Sequence, residues 1–377
     1  MKRICYIGEI DFTRKNASSA RVINCAKAIE LNPDYKVDFI GFSNIPHLTE
    51  NEFEINNVKR GNNTFEKLYN TLTRGRQIVT LLKSLPRRDI IIYYGISANI
   101  LIPLRTYCRH NKIKLIVDVV EWYDYSHVPM GKYGLKAYDI HLAITKIIPM
   151  CDGVICISSY LEDYFKRYNM KIIRIPIIMD THITTDLLKQ SIFDQNYLNL
   201  IYAGFAGKKD LILNVVRSVE KLTQKNIKIK LHLLGCAKED LSEIAGCVLS
   251  ENIICYGRVD QALVSQYLRT ADFSILVRPQ ERYANAGFPT KFVESLNAEL
   301  PVIANLTSDL GLYLKEGYNG YIINDFTIEA ITHKLEEITF LSKTQFVNMR
   351  KNAKLTAVNN FDYRLFSDRI TSFIENV

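Results

Sequence analysis

Twice along this chain, short apolar runs alternate with stretches of helical periodicity, and a polar segment separates the two series. The first series has apolar runs at 4–8, 36–42, 90–95, 114–120, 153–157 and 171–176. Helical stretches fall between them, over 18–31, over 98–110 and from Tyr160 onward, with Ser18 or Ser19 placed to cap the first of these. The second series has runs at 199–204, 227–234, 252–256, 273–277, 301–304 and 321–323, with helices over 210–222, 238–246 and 260–270. Segments 327–357 and 362–376 read as helices. Strands alternating with helices at this spacing specify parallel sheets covered on both faces. A chain of 377 residues suits two such domains, and the polar stretch 181–197 reads as the connection. Doubly wound domains place their ligand crevices at the carboxyl ends of their strands, so a cleft between two of them is the expected active site.

Composition narrows the class. A hydrophobic fraction of 47% and a charged fraction of 23% are those of a globular protein. No apolar run is long enough to cross a membrane. Glu9 and Asp11 interrupt the N-terminal apolar stretch too early for a secretory leader, which leaves it as a buried strand. The 8 cysteines are scattered without a C-x-x-C pair and sit mostly in apolar runs, as expected of reduced core residues in a cytoplasmic protein. The net charge of +8 suits an anionic partner, whether a nucleotide or a phospholipid surface. Basic residues are spread along the chain without a nucleic-acid-binding motif, so no nucleic acid is expected.

The most informative stretch is Ala286-Gly287-Phe288-Pro289-Thr290-Lys291-Phe292-Val293-Glu294. Gly287 permits a tight turn and close approach to a ligand. Pro289 suits a first helical position. The N–H groups of Thr290 and Lys291 then have no partners within the helix, and the positive dipole end behind them favours a phosphate. Glu294 lies one turn in, and its side chain leans back toward that end. Neither first-strand loop carries G-x-G-x-x-G, which argues against a standard dinucleotide dehydrogenase. Gly204 is instead followed by Lys208 and Lys209 at a strand–loop–helix junction, a second phosphate-friendly site. Arg258 and Arg278 follow predicted strands and fall on the same rim.

In the first half, Asp118, Glu121 and Trp122 cross the end of a strand, with His127 close behind. Carboxylates and rings there are placed to meet a sugar, and Asp118 or Glu121 can orient or deprotonate a hydroxyl. The same residues also suit a loop cap and interface packing. Ser18 and Ser19 fall on the acceptor side of the expected cleft. The helical region 68–88 carries Arg74, Arg76, Lys83, Arg87 and Arg88 among Leu72, Ile78, Val79, Leu81, Leu82 and Leu85. It reads either as a basic amphipathic helix for an anionic bilayer or as a solvated helix packed on its own sheet.

Gly287-Phe288-Pro289-Thr290-Lys291-Phe292-Val293-Glu294-Ser295-Leu296, followed by Pro301-Val302-Ile303, resembles the second half of the E-x7-E element of retaining GT-B glycosyltransferases of family 4, particularly the bacterial enzymes that build surface polysaccharides. Residues 202–210, Tyr256-Gly257-Arg258-Val259, Gly317-Tyr318-Asn319-Gly320 and Ile175-Pro176-Ile177-Ile178-Met179-Asp180 add to the likeness. Asn360-Phe361-Asp362-Tyr363 resembles the point where the last helix crosses back to the first domain. The resemblance implies an acceptor-binding Rossmann-like domain over 1–185, a donor-binding one over 186–360, and a returning helix over 361–377.

It also implies a nucleoside-diphosphate sugar donor and no metal or other cofactor. Glu294 would bind the ribose. The diphosphate would be bound by Gly204, Lys208, Lys209, Arg258, Thr290 and Lys291. Arg278, Asn285, Ala286, Gly287 and Phe288 would line the nucleoside and sugar. The acceptor would be a glycan or lipid-linked glycan, met from the cytoplasmic face of the membrane. Two positions depart from the pattern. Ala286 stands where the first Glu falls, so that Asn285 or Glu281 substitutes or the donor sugar has a different hydroxyl pattern. Phe205 stands where the phosphate loop usually has Arg. Two other readings use the same residues: an epimerase or hydrolase of the nucleotide sugar, and a non-catalytic glycan-binding subunit.

Overall fold

The computed structural model describes residues 1–14, 16–182, 193–204, 210–246 and 248–377, with the backbone alone for Leu68, His127, Gln261 and Ala262. The chain divides into two compact units. The first comprises Met1–Met179, Ala286–Phe288 and Tyr363–Val377, and the second Asp180–Asn285 and Pro289–Asp362.

The strands of the first unit are β1 (Lys2–Gly8), β2 (Tyr35–Phe42), β3 (His47–Glu50), β4 (Phe53–Val58), β5 (Ile90–Tyr94), β6 (Lys114–Val119), β7 (Gly153–Cys156) and β8 (Lys171–Arg174). They lie in the order β3-β4-β2-β1-β5-β6-β7-β8, parallel throughout except for β3 against β4. The helices α1 (Ala17–Glu30), α2 (Thr64–Ser84), α3 (Ala98–Asn111), α4 (Leu135–Leu142) and α5 (Ser159–Phe165) accompany them. In the second unit β9 (Leu198–Ala203), β10 (Ile229–Leu234), β11 (Ile253–Cys255), β12 (Phe273–Leu276), β13 (Val302–Asn305) and β14 (Gly320–Ile323) form a parallel sheet in the order β11-β10-β9-β12-β13-β14. Its connections include α6 (Ile212–Gln224), α7 (Lys238–Ala245), α8 (Gln261–Thr270), α9 (Arg282–Ala286), α10 (Thr290–Asn297), α11 (Leu310–Tyr313), α12 (Ile328–Ile338) and α13 (Lys343–Phe361). A last helix, α14 (Ser367–Asn376), belongs to the first unit.

The central strands are apolar on both faces, as strands covered by helices must be. Ile4, Ile7, Ile91, Ile92, Ile116 and Val117 are sealed from solvent in one sheet, and Leu200, Ile201, Leu231, Ile275 and Ile303 in the other. The strand order reverses between β1 and β5 and between β9 and β12. These switch points fix where each unit can hold a ligand. Tyr363, Phe366, Ile370, Phe373 and Ile374 from the returning segment complete the first unit's core.

Several details differ from the sequence reading. The β3–β4 hairpin has no counterpart there. The first helix is capped by Asn16, whose side chain accepts from the Ser19 N–H at 3.0 Å while the Ser19 hydroxyl accepts from the Asn16 N–H at 3.0 Å. Ser19 is therefore the third helical residue and not the cap. The single helix read over 327–357 is two, because Ser342 starts a new one with a capping box to Gln345.

Asp118 ends up wholly inside the first unit. Arg21 reaches it with Nε at 3.0 Å from Oδ2 and Nη2 at 2.8 Å from Oδ1, and Tyr6 donates its hydroxyl to Oδ2 at 2.5 Å. Arg21 also donates to the carbonyls of Pro176 and Ile175. Burial works against the charged guanidinium, but the adjacent Asp118 carboxylate outweighs it and raises the Arg21 pKa. Removing one partner strands the other charge in the core. Arg21→Met is expected to cost about 3–5 kcal/mol, and Arg21→Met with Asp118→Leu to recover most of it. Urea unfolding of both variants measures this; a double variant no better than the single one would show that the pair is not the source of the loss.

Candidate active site

At the switch point of the second unit, β9 leads to Gly204 and β12 to Val277 and Arg278. Pro289 precedes the first turn of α10 as its N-cap, with Thr290 as the first helical residue. The Thr290 and Lys291 N–H groups make no hydrogen bond among the described residues, and no acidic side chain fills that first turn. Such an end is a ready anion site.

A largely enclosed carboxylate organises the rim. Asp210 accepts from the Tyr202 hydroxyl at 2.7 Å, from Lys291 Nζ on the same oxygen, and pairs with Arg278 Nε at 3.3 Å. Lys291 Nζ also lies 2.6 Å from the Tyr202 oxygen and 4.1 Å from the centre of that ring. Burial opposes ionisation of Asp210, but Lys291 and Arg278 overcome it and hold its pKa below the usual carboxylate value. Burial in turn lowers the pKa of both cations. Gly204 is what lets Lys291 lie here. A Cβ at Gly204 would stand 2.5 Å from Lys291 Cε and 2.7 Å from its Nζ, on a backbone with φ of +154°.

Glu294 is half-buried, and burial raises its pKa against the opposing pull of Lys291. Arg278 does not project from the rim as a sugar contact. Its side chain is buried, with Nη1 donating to the Ala284 carbonyl at 3.1 Å, and its backbone is clamped to both ends of the Asn305 amide. Asn285 is likewise committed: its oxygen accepts from the Ser308 N–H at 2.9 Å and its nitrogen donates to the Glu281 carbonyl at 3.2 Å. That leaves little of its amide to replace a missing carboxylate. Ala286, Gly287 and Phe288 are buried, whereas Arg258 is exposed after β11. Lys208 and Lys209, with Phe205, lie outside the described residues. The sequence alone did not single out Asp210, Tyr202 or Asn305 as a group. Asp210 meets Lys291 across 81 positions and Arg278 sits between them, a pairing that no local pattern signals.

At the switch point of the first unit there is a cavity of about 730 Å³. Glu9 follows β1, Tyr94 ends β5 and Gly95 follows it, and Val120 and Glu121 follow β6; all line it, together with Ser18, Arg74 and Asp139. The Tyr94 hydroxyl donates to Ser18 Oγ at 3.0 Å, Arg74 pairs with Glu9, and Tyr123 donates to Glu121. Asp139 accepts from the Asn99 N–H at 2.7 Å; burial raises its pKa, and this bond opposes the shift. Burial also pushes the Tyr94 hydroxyl up to about 12.

Glu121 and Ser18 are thus on the cavity wall. Asp118 is not: both its oxygens are spent on Arg21 and Tyr6, which corrects its expected role as an acceptor-side acid or base. Ser19 is a buried capping residue. Trp122 is buried edge-on against Tyr164, with ring centres 4.5 Å apart, and serves packing. The side chain of His127 lies outside the described residues. In α2, Ile78 and Leu82 are buried, and Arg88, beyond the helix, is held by Asp38. Part of the apolar face of 68–88 therefore packs inward, while Leu72 stays exposed. Among the described residues no group of His, Cys, Asp and Glu could hold a metal ion, and no helix is long and apolar enough to cross a membrane.

Two doubly wound units, with a last helix returned to the first, are the GT-B architecture of glycosyltransferases. Solved structures share it along the whole chain. Sucrose-phosphate synthase from Thermosynechococcus elongatus has a TM-score of 0.76 at 14% identity, covering 100% of this chain and 99% of that one. HepE from Anabaena, in complex with UDP and glucose, has 0.74 at 13%, covering 100% of both. A glycosyltransferase from Rickettsia africae has 0.69 at 14%, covering 99% and 98%. At these identities the likeness is one of fold. No curated protein matches the chain in sequence. Residues 184–356 match the family described as glycosyl transferases group 1. That match covers the second half of the chain, and the fold along the whole chain is GT-B.

The Asp210 cluster has a defined pH signature. Its depressed pKa means that its contribution to stability is present above the ordinary carboxylate value and is lost as pH falls through the folded one. Asp210→Asn should therefore destabilise the second unit by about 3 kcal/mol near neutral pH, with the gap to wild type closing below about pH 4. Thermal unfolding from pH 3 to 8 reads this directly; a gap independent of pH would sink the assignment.

Proposed function

We propose that the protein transfers a sugar from a nucleoside-diphosphate sugar to a hydroxyl of a glycan acceptor, a lipid-linked intermediate of a surface polysaccharide, from the cytoplasmic side of the membrane. The observation that carries the donor half is the start of α10, where two N–H groups without partners among the described residues stand beside the Lys291–Asp210 cluster. These groups suit a diphosphate. As the bond from sugar C1 to the diphosphate breaks, negative charge gathers on the departing oxygen. Fixed N–H dipoles and Lys291 stabilise that charge without a metal, and the family resemblance adds Lys208, Lys209 and Arg258. Glu294, one turn in, accepts from the ribose hydroxyls. HepE, of the same fold, is solved with UDP and glucose and with UDP-glucose, which supports this class of donor.

The cavity of the first unit supports the acceptor half. Its rings suit the C–H faces of a sugar. Glu121, Glu9 and Asp139 accept from hydroxyls, and Glu121 is placed to orient or deprotonate the attacking one. With Asp118 withdrawn into the core, Glu121 is the remaining candidate of the original pair. Retention of configuration belongs to this reading through the family resemblance. The described cysteines are unpaired thiols, mostly buried, in keeping with a reducing compartment.

A thermal-shift screen across nucleoside diphosphates and nucleotide sugars should show selective stabilisation by one base. Glu294→Ala should reduce transfer roughly 10- to 100-fold, the worth of hydrogen bonds to a charged group. Glu121→Gln should lower kcat while leaving donor binding intact. If Glu294→Ala leaves both the shift and transfer unchanged, the donor site is misassigned. Consumption of donor without any acceptor would favour an epimerase or hydrolase instead.

A further inference from the structure

One pair of thiols in the second unit stands apart from the other described cysteines, and neither the donor nor the acceptor chemistry uses it. β11 is a strand of three residues at the edge of the sheet, held by β10 alone. Leu233 and Cys255 are partners in that pairing, so their side chains leave the sheet on the same face. Past β10 the chain turns at Gly235, whose φ of +103° is one that glycine adopts freely. The Gly235 N–H donates to the Gly257 carbonyl at 2.7 Å, and the Gly257 N–H donates to the Cys236 carbonyl at 3.0 Å. These two bonds lace the loop after β10 to the end of β11. Cys236 and Cys255 consequently pack in the same hydrophobic core, and the Cys236 thiol donates to the Cys255 sulfur.

The two thiols are unequal. Cys236 is buried, whereas Cys255 is partly open to solvent. The hydrogen bond from Cys236 favours the Cys255 thiolate and Lys238 adds to it, so the Cys255 pKa is lowered although burial and Glu239 oppose the shift. The same bond, with burial, pushes Cys236 up. Every other described cysteine is buried, with its pKa raised by that burial. A thiolate with access to solvent is the attacking partner in disulfide exchange, and a protonated thiol in contact with it resolves the mixed disulfide.

We propose that Cys236 and Cys255 form a reversible disulfide by exchange with a small-molecule disulfide, and that this bond weakens the hold of the donor rim on its nucleotide. The Cys255 thiolate attacks one sulfur of the small disulfide and releases the other half as a thiolate, which takes up the proton Cys255 had lost. Cys236 then attacks the Cys255 sulfur, and its proton leaves with the second small thiol. Two protein thiols are oxidised, and one small disulfide is reduced to two thiols. The regulatory half rests on the donor reading of the second unit. Arg258 directly follows Gly257, so the lacing of Gly257 to Gly235 and Cys236 sets where Arg258 stands. A covalent bond draws the two sulfurs closer than a thiol contact does. A close-packed core passes that displacement on to the short edge strand rather than absorbing it.

The full chain equilibrated with glutathione and glutathione disulfide tests both halves. Its mass should fall by two hydrogens, peptide mapping should join Cys236 to Cys255, and dithiothreitol should reverse the change. Cys236→Ser should stop at a glutathione adduct on Cys255, and Cys255→Ser should form neither adduct nor disulfide. Thermal shifts titrated with UDP, GDP and ADP report on the donor rim. The oxidised chain should bind the preferred nucleotide about fivefold or more weakly than the reduced chain, and that nucleotide should in turn displace the glutathione equilibrium toward thiols by the same factor. Both serine variants should keep the wild-type affinity of the reduced chain, which also shows that they fold. A disulfide to Cys247 or any other cysteine in place of this pair overturns the inference. So does the absence of a Cys236–Cys255 bond across the glutathione range, or equal nucleotide affinity of the two forms. A reduced chain that binds none of the three nucleotides while the bond still forms counts instead against the donor reading.

Discussion

Each unit draws a carboxylate near the carboxyl edge of its sheet largely out of solvent and binds cationic side chains to it. In the first, Asp118 at the end of β6 holds Arg21 from α1 and the hydroxyl of Tyr6 from β1. In the second, Asp210 holds Lys291 from α10, Arg278 beyond β12 and the hydroxyl of Tyr202 from β9. Both arrangements use a tyrosine of the unit's first strand, and both tie that strand to distant segments. A buried ion is costly unless it is paired and hydrogen-bonded, so each carboxylate fixes its partners within narrow limits. The similarity ends in what the clusters are for. Asp118 is saturated and closed, and it stabilises the wall behind the cavity. Asp210 leaves Lys291 partly exposed at the rim, where a basic group is oriented without being sealed away.

This difference explains how the sequence could be read well in one half and less well in the other. The buried strands were legible because they are continuous apolar runs bounded by Gly or Asp. The β3–β4 hairpin was not, because Glu54, Asn56 and Asn57 interrupt its pattern. The segment 327–357 keeps its apolar spacing across the break at Ser342, so periodicity alone joins two helices that a capping box separates. In the site, the start of α10 was legible because Pro289 and the following apolar face are local signals. The roles of Asp118 and Arg278 were not, because both depend on partners far away in sequence. Asp118 sits where a functional carboxylate would sit, and only Arg21 and Tyr6 decide otherwise.

The departure at Ala286 takes on a clearer shape in the structure. The neighbouring Asn285 amide is already used on both sides, holding the Ser308 N–H and the Glu281 carbonyl. Ala286 itself is fully buried. Asn285 keeps one N–H and one lone pair beyond these bonds, Glu281 is exposed nearby, and the half-buried Glu294 lies one turn further on.

The first unit is discontinuous along the chain. Phe366, Ile370, Phe373 and Ile374, from α14 and the turn before it, pack into the same core as Ile4, Val22 and Phe39. During synthesis from the N-terminus, the unit that emerges first lacks one wall of its core while the whole of the second unit is still being made. The second unit's sheet and helices all precede that wall. The half translated earliest is thus the half whose hydrophobic interior closes last, and its apolar faces stay open to solvent or to a chaperone for most of the time the chain spends on the ribosome.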